Sequence, residues 1–334
     1  MNRFEVYSEV ENFIDSIALQ NLRRISPHYV AQQVGVSSVD IVFDAMMRLV
    51  NFKLTIKYEP QCTECGTGQK PVSSLHEIRP QLTECRYCHE EFIPTEDKVW
   101  VVFDITEEFK EFMKESARSY QHEASQGFTQ PGGISLEEAK KNQVFLDHLS
   151  FSSRWKIDPS LYNALLQEVI DAPSRAKAKE ISTRQQGDTL EKLIKYIYDG
   201  APTVFRYLGK EITHTSEMDG IAEVLYNVGF MAKWPPYVIN EAKNWSVPVD
   251  KDNVDVFVSK VRRANVHVGV YFSRVGITGE KDHSAARAVI DSARSQDDIV
   301  ILLFTLRDLE KIQQGHNFLD LIETKYRTQF FTRS

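Results

Sequence analysis

Cysteine is scarce in this chain. Its 334 residues include four, all of them in Cys62-x-x-Cys65 and Cys85-x-x-Cys88. So few thiols in so long a chain argue against a disulfide-stapled secreted scaffold. Long apolar runs are missing as well: none approaches the roughly 20 residues of a membrane-spanning helix, so no membrane partner is expected. Positive charge is also in short supply. With 40 Lys and Arg against 47 Asp and Glu, the net charge is −7, which excludes attraction of nucleic acid by the whole surface and leaves only local patches. Lys260-Val261-Arg262-Arg263 is one such patch, with a solvated helix face as the bland alternative. No internal repeat or low-complexity tract stands out. A hydrophobic content of 42% suffices for real cores, the length suits two or more domains, and no secretory leader is expected. These features predict a cytoplasmic protein.

Nineteen residues separate the two cysteine pairs. This spacing suits a Cys₄ zinc site, in which each pair supplies two thiolates of a closed tetrahedron. Gly66 and Gly68 can make the tight turn after the first pair. His89 is a conceivable substitute ligand, although four thiolates leave no vacancy. Such a closed site folds a module and does not catalyse. Two disulfides are the alternative, disfavoured by the intracellular character of the chain.

Chemistry of another kind is suggested further on. Tyr237-Val238-Ile239-Asn240-Glu241-Ala242-Lys243 is an apolar run that turns polar abruptly, and strand alternation puts Glu241 and Lys243 on one face. Twenty-two residues before Glu241 stands Asp219, in a candidate strand Glu217–Ile221 at a plausible hairpin distance. Two hard carboxylates suit Mg²⁺, and a neighbouring lysine can orient a water or offset charge on a phosphate. An isolated E-x-K triplet is usually a solvated surface pair; its place at the end of an apolar strand is what sets this one apart. Upstream, Gly187 to Ile194 opens a helix with Leu190, Leu193, Ile194 and Ile197 at helical spacing, and Glu191 lies at the edge of that stripe.

Glu191, Asp219 and Glu241-x-Lys243 together resemble the core of the PD-(D/E)xK nuclease superfamily, closest to Mrr-like restriction endonucleases. The following text fits as well: Val268 to Thr278 reads as a strand ending in a Ser/Gly/Thr loop, and Asp298 to Leu303 reads as another strand, followed by Thr305 to Leu309. The resemblance covers about 150 residues, from near Ile181 to the end. The leading proline of the family name is replaced by Met218, at a position that varies in the superfamily. The resemblance implies a Mg²⁺-dependent endonuclease acting on DNA, with Asp219 and Glu241 as magnesium ligands, Lys243 assisting the water or the transition state, and Glu191 supporting the metal. A bacterial restriction or antiphage role follows, with a protein activator, a partner subunit or a homo-oligomer as possible controls. Two alternatives stay open: cleavage of RNA, and a nucleic-acid- or protein-binding regulator that keeps an inactive nuclease fold as scaffold.

The N-terminal residues read as helix, Gly35 turn, helix and strand. Val42, Ala45, Met46 and Leu49 form the buried stripe of the second helix, and Phe52, Leu54, Ile56 and Tyr58 alternate as in a half-buried strand. This order resembles a winged helix-turn-helix, whose second helix commonly enters the major groove. Here that helix has Arg48 as its only cation and carries Asp40 and Asp44, so a protein partner is as good a target as DNA. Val99 to Phe103 is expected to close the zinc ribbon as a strand. Helices are expected at Glu107–Arg118, Glu137–Leu149, Pro159–Ile170 and Ala172–Gln186, with a loop from Ser125 to Gly133. Past the lysine, Asn244, Trp245, Ser273, Thr278 and His283 are secondary candidates for substrate contact, each with packing, turn-making or surface exposure as the plainer reading.

The expected architecture is multidomain α/β: a winged-helix-like domain (residues 1–59), a Cys₄ zinc ribbon (60–104), a helical linker or docking region (105–180) and a restriction-endonuclease-like core with a central mixed sheet (181–334).

Overall fold

A computed structural model of the chain describes residues 3–20, 22, 24–78, 81–116, 133–212, 217–279 and 284–329. His283, most of the expected Ser125–Gly133 loop and the last two residues of the expected Glu107–Arg118 helix lie outside them. The chain divides into two units, Met1–Ser150 and Phe151–Ser334. Among the described residues are twelve α-helices, none long and apolar enough to cross a membrane.

The first unit opens with α1 (Arg3–Ile17), α2 (Pro27–Val34) and α3 (Val39–Arg48). Ser26 caps α2 by accepting from the Tyr29 N–H, Pro27 fills the first turn where no N–H is needed, and Gly35 ends the helix at φ +68°. The strands that follow are β1 (Leu54–Pro60), β2 (Thr83–Glu84), β3 (Glu91–Phe92) and β4 (Val99–Ile105). β1 and β4 run antiparallel from Leu54 opposite Ile105 to Pro60 opposite Val99, and Ile25 bridges to Phe103. The cysteine-bearing segment, with the small β2–β3 ribbon, is thus inserted between the two strands of a hairpin. This corrects the expectation that Val99–Phe103 closes the zinc ribbon. The strand buries Val99, Val101, Val102, Phe103 and Ile105, more apolar surface than a small ribbon can cover, so it packs with the helices instead.

Next come α4 (Glu107–Ser116), β5 (Ile134–Ser135), α5 (Leu136–Ala139) and α6 (Gln143–Ser152). The helix expected over Glu137–Leu149 is therefore two helices, with a break after α5. Asn142 starts the second by accepting from the Phe145 N–H. β5 extends the hairpin through Trp100 opposite Ser135.

α3 is walled in. Its six successive residues Val42 to Met47 are all buried, and six residues make more than one and a half turns, so no lateral face of that stretch meets solvent. Phe43 packs against Phe103 and Phe145 at ring separations of 5.9 and 6.0 Å. Asp44, read from sequence as an acidic face residue, points inward and accepts from Arg3 at 2.7 Å, from Tyr7 and from Asn142 at 3.3 Å.

The second unit contains α7 (Pro159–Lys177), α8 (Thr183–Asp199), β6 (Phe205–Ile212), β7 (Glu217–Val224), β8 (Tyr237–Lys243), α9 (Lys251–Arg263), β9 (Val268–Ser273), α10 (Ala285–Asp297), β10 (Val300–Phe304), α11 (Leu306–Gln313) and α12 (Phe318–Thr328). The helix expected over Ala172–Gln186 is instead the end of α7 and the start of α8. Ser182 and Gln185 form a capping box there that resets the chain. The sheet order is β10-β9-β8-β7-β6, with β8, β9 and β10 parallel and β6, β7 and β8 antiparallel. It is the expected mixed sheet. One face carries Val238, Val270 and Phe272 and packs with side chains of α7, α8, α11 and α12. The other carries Ile239, Tyr271 and Ile301 and packs with α9 and α10. Strand alternation makes this division, and it decides which helices can reach each polar residue of β8.

Candidate functional site

The four cysteine sulfurs lie within 4.8 Å of one another. Cys62 and Cys88 are 3.7 Å apart, as are Cys65 and Cys85. A tetrahedron with Zn–S bonds of about 2.3 Å has edges of about 3.8 Å, whereas a disulfide needs about 2.05 Å. The set therefore fits one tetrahedral ion, and the cysteines are free. Each pair sits in the same turn. The Gly66 N–H donates to the Cys62 carbonyl and the His89 N–H to the Cys85 carbonyl, at 2.9 and 3.1 Å. Gly66 and His89 take φ of +69° and +61°. His89 thus fills the turn position that Gly66 fills in the first pair; its ring lies 3.0 Å from Glu84 and is no ligand. Gln69 ties the two turns together by donating to Cys85 Sγ and accepting from the Arg86 N–H.

The cluster handles charge unevenly. The backbone N–H of Cys88 and, after it, that of Tyr87 hold the Cys85 thiol down to about 6 against the pull of burial. At Cys88 the Glu90 backbone bond favours the thiolate, but burial and the three neighbouring sulfurs push it up to about 12. Four thiolates cannot share this space unaided, and a divalent cation is what makes them compatible.

In the second unit, Glu241 and Lys243 project from the same face of β8, as the alternation predicts. Lys243 Nζ lies 2.5 Å from Glu241 Oε1. Glu241 is only 5% exposed, and its other oxygen, Oε2, accepts from Lys260 Nζ at 2.8 Å. In the parallel register, Glu241 stands beside Tyr271 and Lys243 beside Ser273. Asp219 lies in the neighbouring strand β7, one residue before Gly220. Gly220 pairs with Asn240, the residue before Glu241. Glu191 lies on α8, the helix that covers the opposite face, and pairs with Lys210 of β6 at 2.9 Å.

The strand end is fastened from below. Tyr198 of α8 donates to Asn240 Oδ1 at 2.7 Å. Asn244 Nδ2 donates to Val169 O, Gln186 O and Thr189 Oγ1, at 3.2, 3.1 and 3.0 Å, and Gln186 donates back to the Asn244 carbonyl. Asn244 is thus an internal clasp, not a substrate contact. Ser273 spends its hydroxyl on the Gly276 carbonyl at 2.7 Å, so it makes a turn. Trp245 is partly exposed, and its ring centre lies 5.9 Å from Lys243 Nζ.

The basic run Lys260–Arg263 is not one surface patch. Lys260 turns inward to Glu241, Val261 is buried, and Arg262 pairs with Asp297 at 2.5 Å. Helical spacing explains the split, because these four successive residues fan around α9. Lys260 is the site residue that sequence reasoning missed. The only available signal was its position next to the buried stripe Val254, Phe257, Val258 and Val261.

No family model, curated protein or solved structure matches this chain.

Proposed function

We propose that the second unit is a Mg²⁺-dependent nuclease of the PD-(D/E)xK kind, hydrolysing DNA phosphodiester bonds. The observation that carries this reading is the Glu241–Lys243 pair at the end of the central strand; it is supported by the neighbouring strand β7, in which Asp219 precedes Gly220, the partner of Asn240. Asp219 and Glu241 supply hard oxygen ligands, and the bound ion would polarise the phosphate and lower the cost of forming hydroxide. Lys243, tethered by Glu241 and flanked by the Trp245 ring, orients the attacking water and offsets charge growing on the phosphoryl oxygens. Glu191, on the helix of the opposite face and paired with Lys210, would support the site only indirectly, so its loss is expected to cost less than that of Glu241. RNA remains the alternative substrate.

In the first unit, helix, bridge, helix, turn, helix and hairpin make a winged-helix-like arrangement with a structural zinc module set into the wing. Because α3 is enclosed, this unit contributes a frame and a surface for protein partners, not a groove-reading helix. A regulatory or antiphage role for the whole chain follows from joining such a unit to a nuclease.

The test is incubation of purified protein with supercoiled plasmid and Mg²⁺, with Glu241→Gln in parallel. Nicking or linearisation by the parent, abolished in the variant, supports the reading. Equal cutting by both removes Glu241 from the mechanism.

A further inference from the structure

Glu241 is held by two ammonium groups, and only one belongs to the E-x-K strand. Lys260 reaches it from α9, nineteen residues later in the chain. That helix is locked onto the sheet by Val254, Phe257, Val258 and Val261, with the Phe257 ring 5.0 Å from Tyr271 and edge-on to it. The Lys260 side chain is 13% exposed and that of Glu241 6%, so this is not a solvated surface pair of negligible consequence. Each partner would be left as a poorly hydrated charge without the other, or without a substitute for it.

We propose that Lys260 is a positioning residue that occupies Glu241 Oε2 in place of a divalent ion, so that metal binding has to displace an ammonium. The inference rests on the reading of Glu241 as a magnesium ligand. An oxygen already bonded to an ammonium at 2.8 Å cannot also take an ion at about 2.1 Å without bringing two cations within a few ångströms of each other. At that separation, in a site largely withdrawn from water, their repulsion outweighs the modest entropy of freeing one side chain. The four-carbon stem of lysine lets the head swing away while α9 stays packed. Lys243, on the other oxygen, keeps Glu241 in place during the exchange. The site is therefore held in shape while no metal is bound, and part of the intrinsic metal affinity is given up for that order.

The test is Mn²⁺ binding to the full-length chain, followed by electron paramagnetic resonance of the free ion, with Glu241→Gln identifying the binding event that belongs to this site. Lys260→Met, which keeps length and loses charge, is expected to bind Mn²⁺ about tenfold more tightly than the parent, a change of about 1.4 kcal/mol. Lys260→Arg keeps the cation and is expected to stay near the parent. A purely structural lysine would lower the melting temperature of Lys260→Met without tightening Mn²⁺ binding. Equal or weaker binding by Lys260→Met overturns the displacement and leaves the nuclease reading standing. Absence of any Glu241-dependent Mn²⁺ binding in all these proteins overturns both.

Discussion

Asn244 Nδ2 donates to Thr189 Oγ1 at 3.0 Å, joining the residue after Lys243 to the helix that carries Glu191. With its bonds to Val169 and Gln186, this amide fixes the end of β8 to α7 and α8. A lysine at a strand terminus would otherwise sit on fraying backbone, and the clasp removes that freedom.

Replacing Asn244 by Ala is expected to destabilise the second unit by about 1–2 kcal/mol, since the Val169 carbonyl loses its bond from the amide while Thr189 Oγ1 and the Gln186 carbonyl keep the bond between them. Urea unfolding followed by fluorescence of the unit's tryptophans checks this. A loss below about 0.5 kcal/mol would show that the clasp is dispensable.

Asp44 makes a pH-dependent contribution in the first unit. Burial works against its carboxylate, but hydrogen bonds from Tyr7, Arg3 and Asn142 and the charge of Arg48 outweigh it, so its pKa lies below the ordinary value of 3.8. A group with a depressed folded pKa stabilises fully above its unfolded pKa and loses that contribution as pH falls through the folded one. Asp44→Asn is thus expected to cost about 1–3 kcal/mol at pH 7, with the gap between parent and variant closing below pH about 4. Unfolding curves at several pH values measure it, and a gap that stays constant across the range would contradict the assignment.

The cysteine cluster is expected to hold one zinc ion per chain by elemental analysis. Cys62→Ser or a strong chelator should unfold the inserted module while leaving the second unit's melting transition in place. Acid should release the metal as the thiolates are protonated, and Cys85, held down to about 6, should gain its proton after Cys88, which is pushed up to about 12. Full structure retained after metal removal would refute a folding role.

Because Val42 to Met47 are buried, the remaining exposed charges of α3, Asp40 and Arg48, should not govern DNA affinity. Arg48→Ala is expected to leave duplex binding within about twofold of the parent by fluorescence anisotropy. A drop of about tenfold, as for a lost base contact, would restore α3 as a reading helix.

The parts legible in the sequence are those written in local periodicity. The alternation of Val238, Ile239, Glu241 and Lys243 placed both site residues on one face, and the spacing of the cysteines placed four sulfurs in one cluster. What escaped depends on contacts distant in sequence. β4 belongs with β1 across an insertion, and no local pattern distinguishes that from closing the cysteine module. Asp44 reads as a surface acid on a helical wheel until Arg3, Tyr7 and Asn142 arrive from other elements. Lys260 reads as part of a basic stripe because a long side chain at the edge of an apolar face can turn either way. Only the packing of α9 on β8 and β9 decides.

The most direct measurement is the single-turnover cleavage rate of labelled duplex DNA with Mg²⁺, comparing the parent with Lys243→Met at saturating enzyme. The account predicts cleavage by the parent and a loss of about 10²–10⁴-fold in the variant, with unchanged folding and zinc content. Cleavage by Lys243→Met at the parental rate would contradict it.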